Sequence, residues 1–228
     1  MAEEITAFIG YSNKDRILAG KLKDAFKELG INSFLAHEKD HVGEQWRKSI
    51  LDALDACRVY IPMVTGNFLK SPFAQQEAGY IYGQKTKKII PLMFGSQKIP
   101  PALLETIQGH KITGTQLTKE RLGSILLKVE PSLVINFYIE SLDVSQDFRK
   151  SEEIMETLEP HYKDFTTVQV NHYYKICTTS HYVKDANKCA LKLIPNFLRI
   201  TGMQKKDKQK AAGFKAWETR QKNLKVKK

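Results

Sequence analysis

Val59-Tyr60-Ile61-Pro62-Met63-Val64 is the stretch that decides the fold. It is apolar almost without a break, whereas a strand with one wet face alternates apolar and polar residues. Uninterrupted apolar strands belong to parallel sheets that helices cover on both faces. Upstream, Ile5-Thr6-Ala7-Phe8-Ile9-Gly10-Tyr11 reads as a first strand and Ile31-Asn32-Ser33-Phe34-Leu35 as a second. Between them, residues 14–29 place Ile17, Leu18, Leu22, Ala25, Phe26 and Leu29 at helical spacing, and Gly30 stops the run. A polar loop, Ala36 to Gly43, leads to a helix over 44–56 with Trp46, Ile50, Leu51 and Leu54 facing inward.

Downstream of the key strand, Ser71-Pro72 opens a helix, since Ser caps well and Pro is favoured at the first helical position. Lys88-Ile89-Ile90-Pro91-Leu92-Met93-Phe94 reads as a fourth strand, Lys111-Ile112-Thr113 as a short edge strand and 119–129 as a closing helix. Pro62 and Pro91 hold equivalent places in two strands. Because Pro cannot donate a ladder hydrogen bond, they are read as marking where those strands leave the sheet near a crevice. The alternation predicts an α/β, flavodoxin-like fold with about five parallel strands and helices on both faces.

Beyond Pro131 the pattern becomes mainly helical, which divides the chain into a domain over 1–130, a smaller domain over 131–203 and a tail over 204–228. Residues 133–143 and 146–158 read as helices, with Glu152, Glu153, Glu156 and Glu159 on a solvated face. Residues 167–175 are readable as strand or helix. Residues 185–198 read as a helix that Pro195 interrupts.

A length of 228 residues with 42% apolar and 27% charged residues suits a globular chain with a sizeable core. The net charge of +11 is concentrated: residues 204–228 hold nine Lys, one Arg, one Asp and one Glu, net +8, which leaves +3 elsewhere. That tail is either a solvated charge run or a patch for an acidic partner such as nucleic acid. Phe214, Trp217 and Leu224 give it an apolar stripe that a partner surface or the chain itself can cover. No run of about 18 apolar residues exists, so no membrane segment is expected. An acidic start, Met1-Ala2-Glu3-Glu4, and three widely spaced cysteines, Cys57, Cys177 and Cys189, point to a cytoplasmic setting.

Familiar catalytic signatures are missing: the chain has no Walker loop, GxGxxG, GxSxG, HExxH or CxxC. His172, Cys177, His181 and Cys189 match no standard zinc spacing, so no metal site is expected. What remains is Ser71-Pro72-Phe73-Ala74-Gln75-Gln76-Glu77, which puts an aromatic and a carboxylate four residues apart at the front of a helix. In an α/β fold, helix fronts and strand ends meet at the ligand crevice. Tyr11, Ser12 and Asn13, after the first strand, belong either to that crevice or to an ordinary turn and helix cap. Glu77 is either a working acid or a solvated one favoured by the helix dipole.

From about Ile5 to Val129 the chain resembles a TIR domain, closest to the prokaryotic type. Four features carry the resemblance in order: Phe8-Ile9-Gly10-Tyr11-Ser12, the loop His37 to Gly43 with Glu44-Gln45-Trp46 after it, the apolar strand through Pro62, and the helix bearing Phe73 and Glu77. The resemblance covers a little over half the chain.

The resemblance implies cleavage of the nicotinamide–ribose bond of NAD+, as a hydrolase or cyclase, in Thoeris-like anti-phage immunity. NAD+ is then a substrate, and no cofactor is expected. The catalytic glutamate carries over onto Glu77, with Gly10, Tyr11, Ser12, Asn13, His37, Trp46 and Phe73 around the substrate. Phe73 is a departure, since the family usually has Trp there. His37 and His41 lie in a loop that family members use for self-association and for covering the nucleotide. Trp46 is either an aromatic wall or a core anchor. Gly79 and Gly83 permit close packing of their helix, within the chain or in an assembly.

Partners implied are further copies of the chain and a downstream effector or upstream sensor, with residues 132–228 available to govern assembly or docking. The competing readings are a non-enzymatic TIR adaptor and a nucleoside 2′-deoxyribosyltransferase-like enzyme.

Overall fold

The computed structural model describes residues 5–36, 44–95, 107–113 and 117–203. The chain forms two compact units, Met1–Val134 and Ile135–Lys228. Unit one follows the expected alternation. It contains β1 (Ala7–Gly10), α1 (Arg16–Glu28), β2 (Ser33–Leu35), α2 (Glu44–Ala56), β3 (Val59–Val64), α3 (Gly66–Leu69) and α4 (Pro72–Gly83). It continues with β4 (Lys88–Ile89), β5 (Leu92–Phe94), β6 (His110–Ile112) and α5 (Lys119–Val129). Every pairing is parallel and the order is β2-β1-β3-β5-β6, with β4 also paired to β3. This is the doubly wound flavodoxin-like arrangement, whose order reverses between β1 and β3. All six residues of β3 are buried, as a strand covered on both faces requires.

The two prolines behave differently from the expectation. β3 does not leave the sheet at Pro62: it pairs Gly10 with Pro62 on one side and continues to Val64. On its other side it pairs Val59 with Lys88 and Tyr60 with Ile89, then Met63 with Leu92 and Val64 with Met93. The offset is the same before and after, so β4 and β5 are one strand in one register. Its ladder lapses only beside Pro62, which faces that strand without an N–H to donate, whereas Pro91 faces β6. The Pro91 carbonyl still accepts from the His110 backbone N–H at 2.8 Å.

Two details of the helices also depart from the periodicity. Leu51 is 39% exposed and Ile17 is 81% exposed, so the inward face of α2 is Ile50, Ala53 and Leu54. Gly83 is exposed, and a β-carbon there would meet nothing within 4 Å, so close packing inside the chain does not explain it.

Unit two is helical: α6 (Ile135–Asp143), α7 (Phe148–Leu158), α8 (Thr167–Thr179), α9 (His181–Lys184) and α10 (Ile194–Thr201). The undecided stretch is the helix α8, opened by a reciprocal cap between Thr166 and Gln169. Pro195 does not interrupt its helix. The preceding turn, Cys189–Leu193, widens to π geometry, and α10 takes Pro195 in its first turn. Tyr162, Phe165, Tyr173 and Phe197 form the aromatic core, with the two tyrosine hydroxyls 2.9 Å apart. His172 and His181 face Asp143 and Asp185, while Cys177 and Cys189 are buried, so these four residues do not act as a group. No helix among the described residues is long and apolar enough to cross a membrane.

Candidate functional site

The order reversal between β1 and β3 leaves a crevice at their carboxyl ends, where doubly wound sheets take ligands. A cavity of about 600 Å³ lies there, lined by Ser12, Asn13, Lys14, Trp46, Asn67, Lys70, Ser71 and Phe73. This volume is typical of a small-molecule site.

Each lining residue has a local reason for its place. Ser12 follows β1 in extended conformation and its side chain makes no capping hydrogen bond, so the cap reading fails for its hydroxyl. Asp15 joins the two strand ends: Thr65 donates to it at 2.5 Å and Asn67 at 2.7 Å. Thr65 also caps α3, accepting from the Phe68 N–H at 2.9 Å. Ser71 caps α4 by accepting from the Ala74 N–H at 3.3 Å, and Pro72 fills the first helical position. Gln75 donates to the Phe68 carbonyl at 3.1 Å and ties α3 to α4.

Trp46 serves as both wall and anchor. Its indole N–H donates to the Ala36 carbonyl at 3.1 Å, and its ring stacks on Phe73 with centroids 5.0 Å apart. Both rings also pack against the core cluster that contains Phe8, Tyr60, Ala74 and Ile81.

Glu77 is not a solvated acid. It is 4% exposed, on the inward face of α4 with Ala74, Ala78 and Ile81. Among the described residues neither carboxyl oxygen has a hydrogen-bond partner, and the fully buried Tyr60 hydroxyl has none either. Burial pushes the Glu77 carboxyl up to about 8, and its charge in turn helps to hold the Tyr60 phenol well above its ordinary value, behind the larger effect of burial. Gly10 closes the other side of Tyr60, because a β-carbon at Gly10 would run into the Tyr60 ring and hydroxyl. Unpartnered buried polar groups are costly and rare, so this buried group of Gly10, Tyr60 and Glu77 stands out from the rest of the core.

Of the residues singled out from the sequence, Ser12, Asn13, Trp46 and Phe73 share the cavity. Tyr11 is buried at the end of β1, and Glu77 lies one helical turn beyond Phe73 without lining the cavity. His37, His41, Phe214, Trp217, Leu224 and the rest of the tail lie outside the described residues. Sequence reasoning did not assign Lys14, Asn67 and Lys70 to the crevice. The available signal was position, since each follows a strand or precedes a helix at the order reversal. Lys14 and Lys70 supply cations, and the crevice also meets the positive end of the α4 dipole, which together favour an anion.

Residues 7–126 match the family model described as TIR domain, and the chain belongs to that family. A comparison with curated proteins gave no match. Among solved structures, the chain is similar to the TIR domain of the Toll-related receptor TRR-2 from Hydra magnipapillata. Identity there is 17%, coverage is 56% of this chain and 96% of that one, and the TM-score is 0.44.

Proposed function

We propose that this chain is a TIR-domain NAD+ glycohydrolase or cyclase, acting in prokaryotic anti-phage immunity. The observation that carries the reading is Glu77: an unpartnered, buried carboxyl on the face of α4 one turn behind Phe73 of the crevice. Lys14, Lys70, Ser12 and Asn13 supply the cations and hydroxyl or amide groups that a pyrophosphate and ribose need, and Trp46 with Phe73 supplies an aromatic surface for a base. In the reaction, the C1′–N bond breaks and its electron pair leaves with nicotinamide. Ionised Glu77 stabilises the oxocarbenium-like ribose, and water or an adenine nitrogen then takes C1′.

In the isolated chain Glu77 is closed off from the cavity and protonated below about pH 8. The productive state therefore belongs to an assembly of copies, in which the carboxyl is uncovered and ionised. The same burial favours a second reading, a TIR scaffold that assembles without chemistry. NAD+ turnover by concentrated protein, with products identified by mass spectrometry, separates the two. The enzyme reading expects turnover that Glu77→Gln abolishes while assembly persists. Assembly without turnover in the wild type leaves the scaffold.

A further inference from the structure

A second cavity, of about 560 Å³, lies at the opposite end of the sheet, where β4 and β6 begin. Its inner surface is apolar: Ile81 from α4, Ile89 and Ile90 beside β3, Ile107, and Val129 from α5. Ile81 and Ile90 are each 1% exposed, so the floor is continuous with the core. Its rim is cationic. Lys85, Lys87, Lys88 and His110 line it, and no described carboxylate does.

The cations are not equivalent. The Lys87 ammonium is occupied by the Asp55 and Cys57 carbonyls. Lys85 and Lys88 are exposed and form no ion pair among the described residues. Lys85 also holds a left-handed backbone, φ 42°, which costs any residue with a β-carbon free energy. His110 is fixed at the start of β6 by its backbone bond to Pro91. Burial, and then the nearby Arg121 and Lys128, lower its pKa, so the groups acting on its imidazole are themselves cations. Among the described residues, the cavity thus joins an apolar floor to a rim where two lysines have no ion-pair partner.

We propose that this cavity is a ligand site separate from the crevice, and that it takes a phosphate monoester carried on an apolar body. The floor takes the apolar body, while Lys85, Lys88 and His110 surround the phosphate. The assignment does not depend on NAD+ chemistry at the crevice.

The test is a calorimetric titration of the full chain with 1-naphthyl phosphate, beside 1-naphthol and inorganic phosphate. The expected result is binding of the ester, with each half-molecule weaker by about tenfold or more. Lys85→Gln with Lys88→Gln should weaken the ester by a similar factor and leave the melting temperature unchanged, since both side chains are exposed. Lys14→Gln with Lys70→Gln, at the crevice, should leave its affinity unchanged. The His110 imidazole, followed by NMR, should rise in pKa when the ester binds. The proposal is overturned by any of four results: naphthol binding as tightly as the ester, affinity unaffected at Lys85 and Lys88, loss that instead follows Lys14 and Lys70, or no binding at millimolar ester.

Discussion

The Tyr60 side chain occupies the space a β-carbon on Gly10 would need, with Cζ only 2.5 Å from that position. β1 and β3 are neighbours in the sheet, and Gly10 pairs with Pro62, so the tyrosine crosses the end of β1 at the place where glycine leaves room. Gly10→Ala should therefore destabilise unit one by about 1–3 kcal/mol, the usual cost of overpacking a core. Adding Tyr60→Phe removes the hydroxyl but not Cζ, so it should restore only part of the loss. Denaturant melts of the two single variants and the double variant check this, and strict additivity would contradict the contact.

Glu77 sets the sign of a pH effect. The folded chain keeps its carboxyl protonated up to about pH 8, whereas an unfolded chain ionises it near 4.5. Between those values the folded state holds the extra proton, so the stability tied to this group is full below 4.5 and is lost as pH rises through 8. Glu77→Gln should flatten the fall and be more stable than wild type above pH 8, by on the order of a few kcal/mol. Thermal melts from pH 5 to pH 9 test it. If assembly uncovers and ionises the carboxylate that does the chemistry, kcat/KM for NAD+ in the assembled enzyme should hold its plateau to well below pH 8.

Asp15 holds the crevice in register by accepting from both Thr65 and Asn67. Asp15→Ala leaves those two donors without their acceptor and should cost about 1–3 kcal/mol. Because Asn67 lines the cavity, KM for NAD+ should rise as well, with a smaller change in kcat. Hydrogen exchange of the segment after β3 should speed up in the variant.

Trp46 has two roles that substitutions can separate. Trp46→Phe keeps a ring to stack on Phe73 but loses the bond to the Ala36 carbonyl, at a cost of about 1 kcal/mol. Trp46→Ala loses both and should cost about 2 kcal/mol or more. The aromatic-wall role expects NAD+ affinity to survive the first change and fall with the second.

Lys14 and Lys70 give the crevice its positive charge. Replacing both with Gln should raise KM for NAD+ and reduce its dependence on salt, with kcat held, since exposed charges act through a screened field.

Much of unit one was legible because β3 is apolar throughout and because helical spacing, Ser71 and Pro72 mark where elements begin. Ser12, Asn13, Trp46 and Phe73 were legible beside the crevice from the strand ends and helix fronts that carry them, whereas Lys14, Asn67 and Lys70 carried no signal beyond position. The burial of Glu77 was harder to read. Ala74, Ala78 and Ile81 share its face, yet alanines are weak markers of a core, and the dipole of α4 offered a solvated explanation. The prolines misled because sequence shows a missing donor but not that losing the single donor of Pro62 leaves the register on both sides unchanged. Pro195 misled for a related reason: a π turn relieves its clash without breaking the helix. The Thr166 and Gln169 pair was a readable signal for α8.

The missing donor of Pro62 also has a mechanical meaning. β3 belongs to two ladders, one with β1 and β4 and one with β5, and on the β4–β5 side they meet where Pro62 has no N–H to donate. At that level the two ladders are joined by the covalent chains of β3 and of Ile90–Pro91. One ladder ends at Gly10, beside the Tyr60 ring, and the other runs on to β6, so the crevice end of the sheet is held by side-chain packing on one side and by ladder bonds on the other.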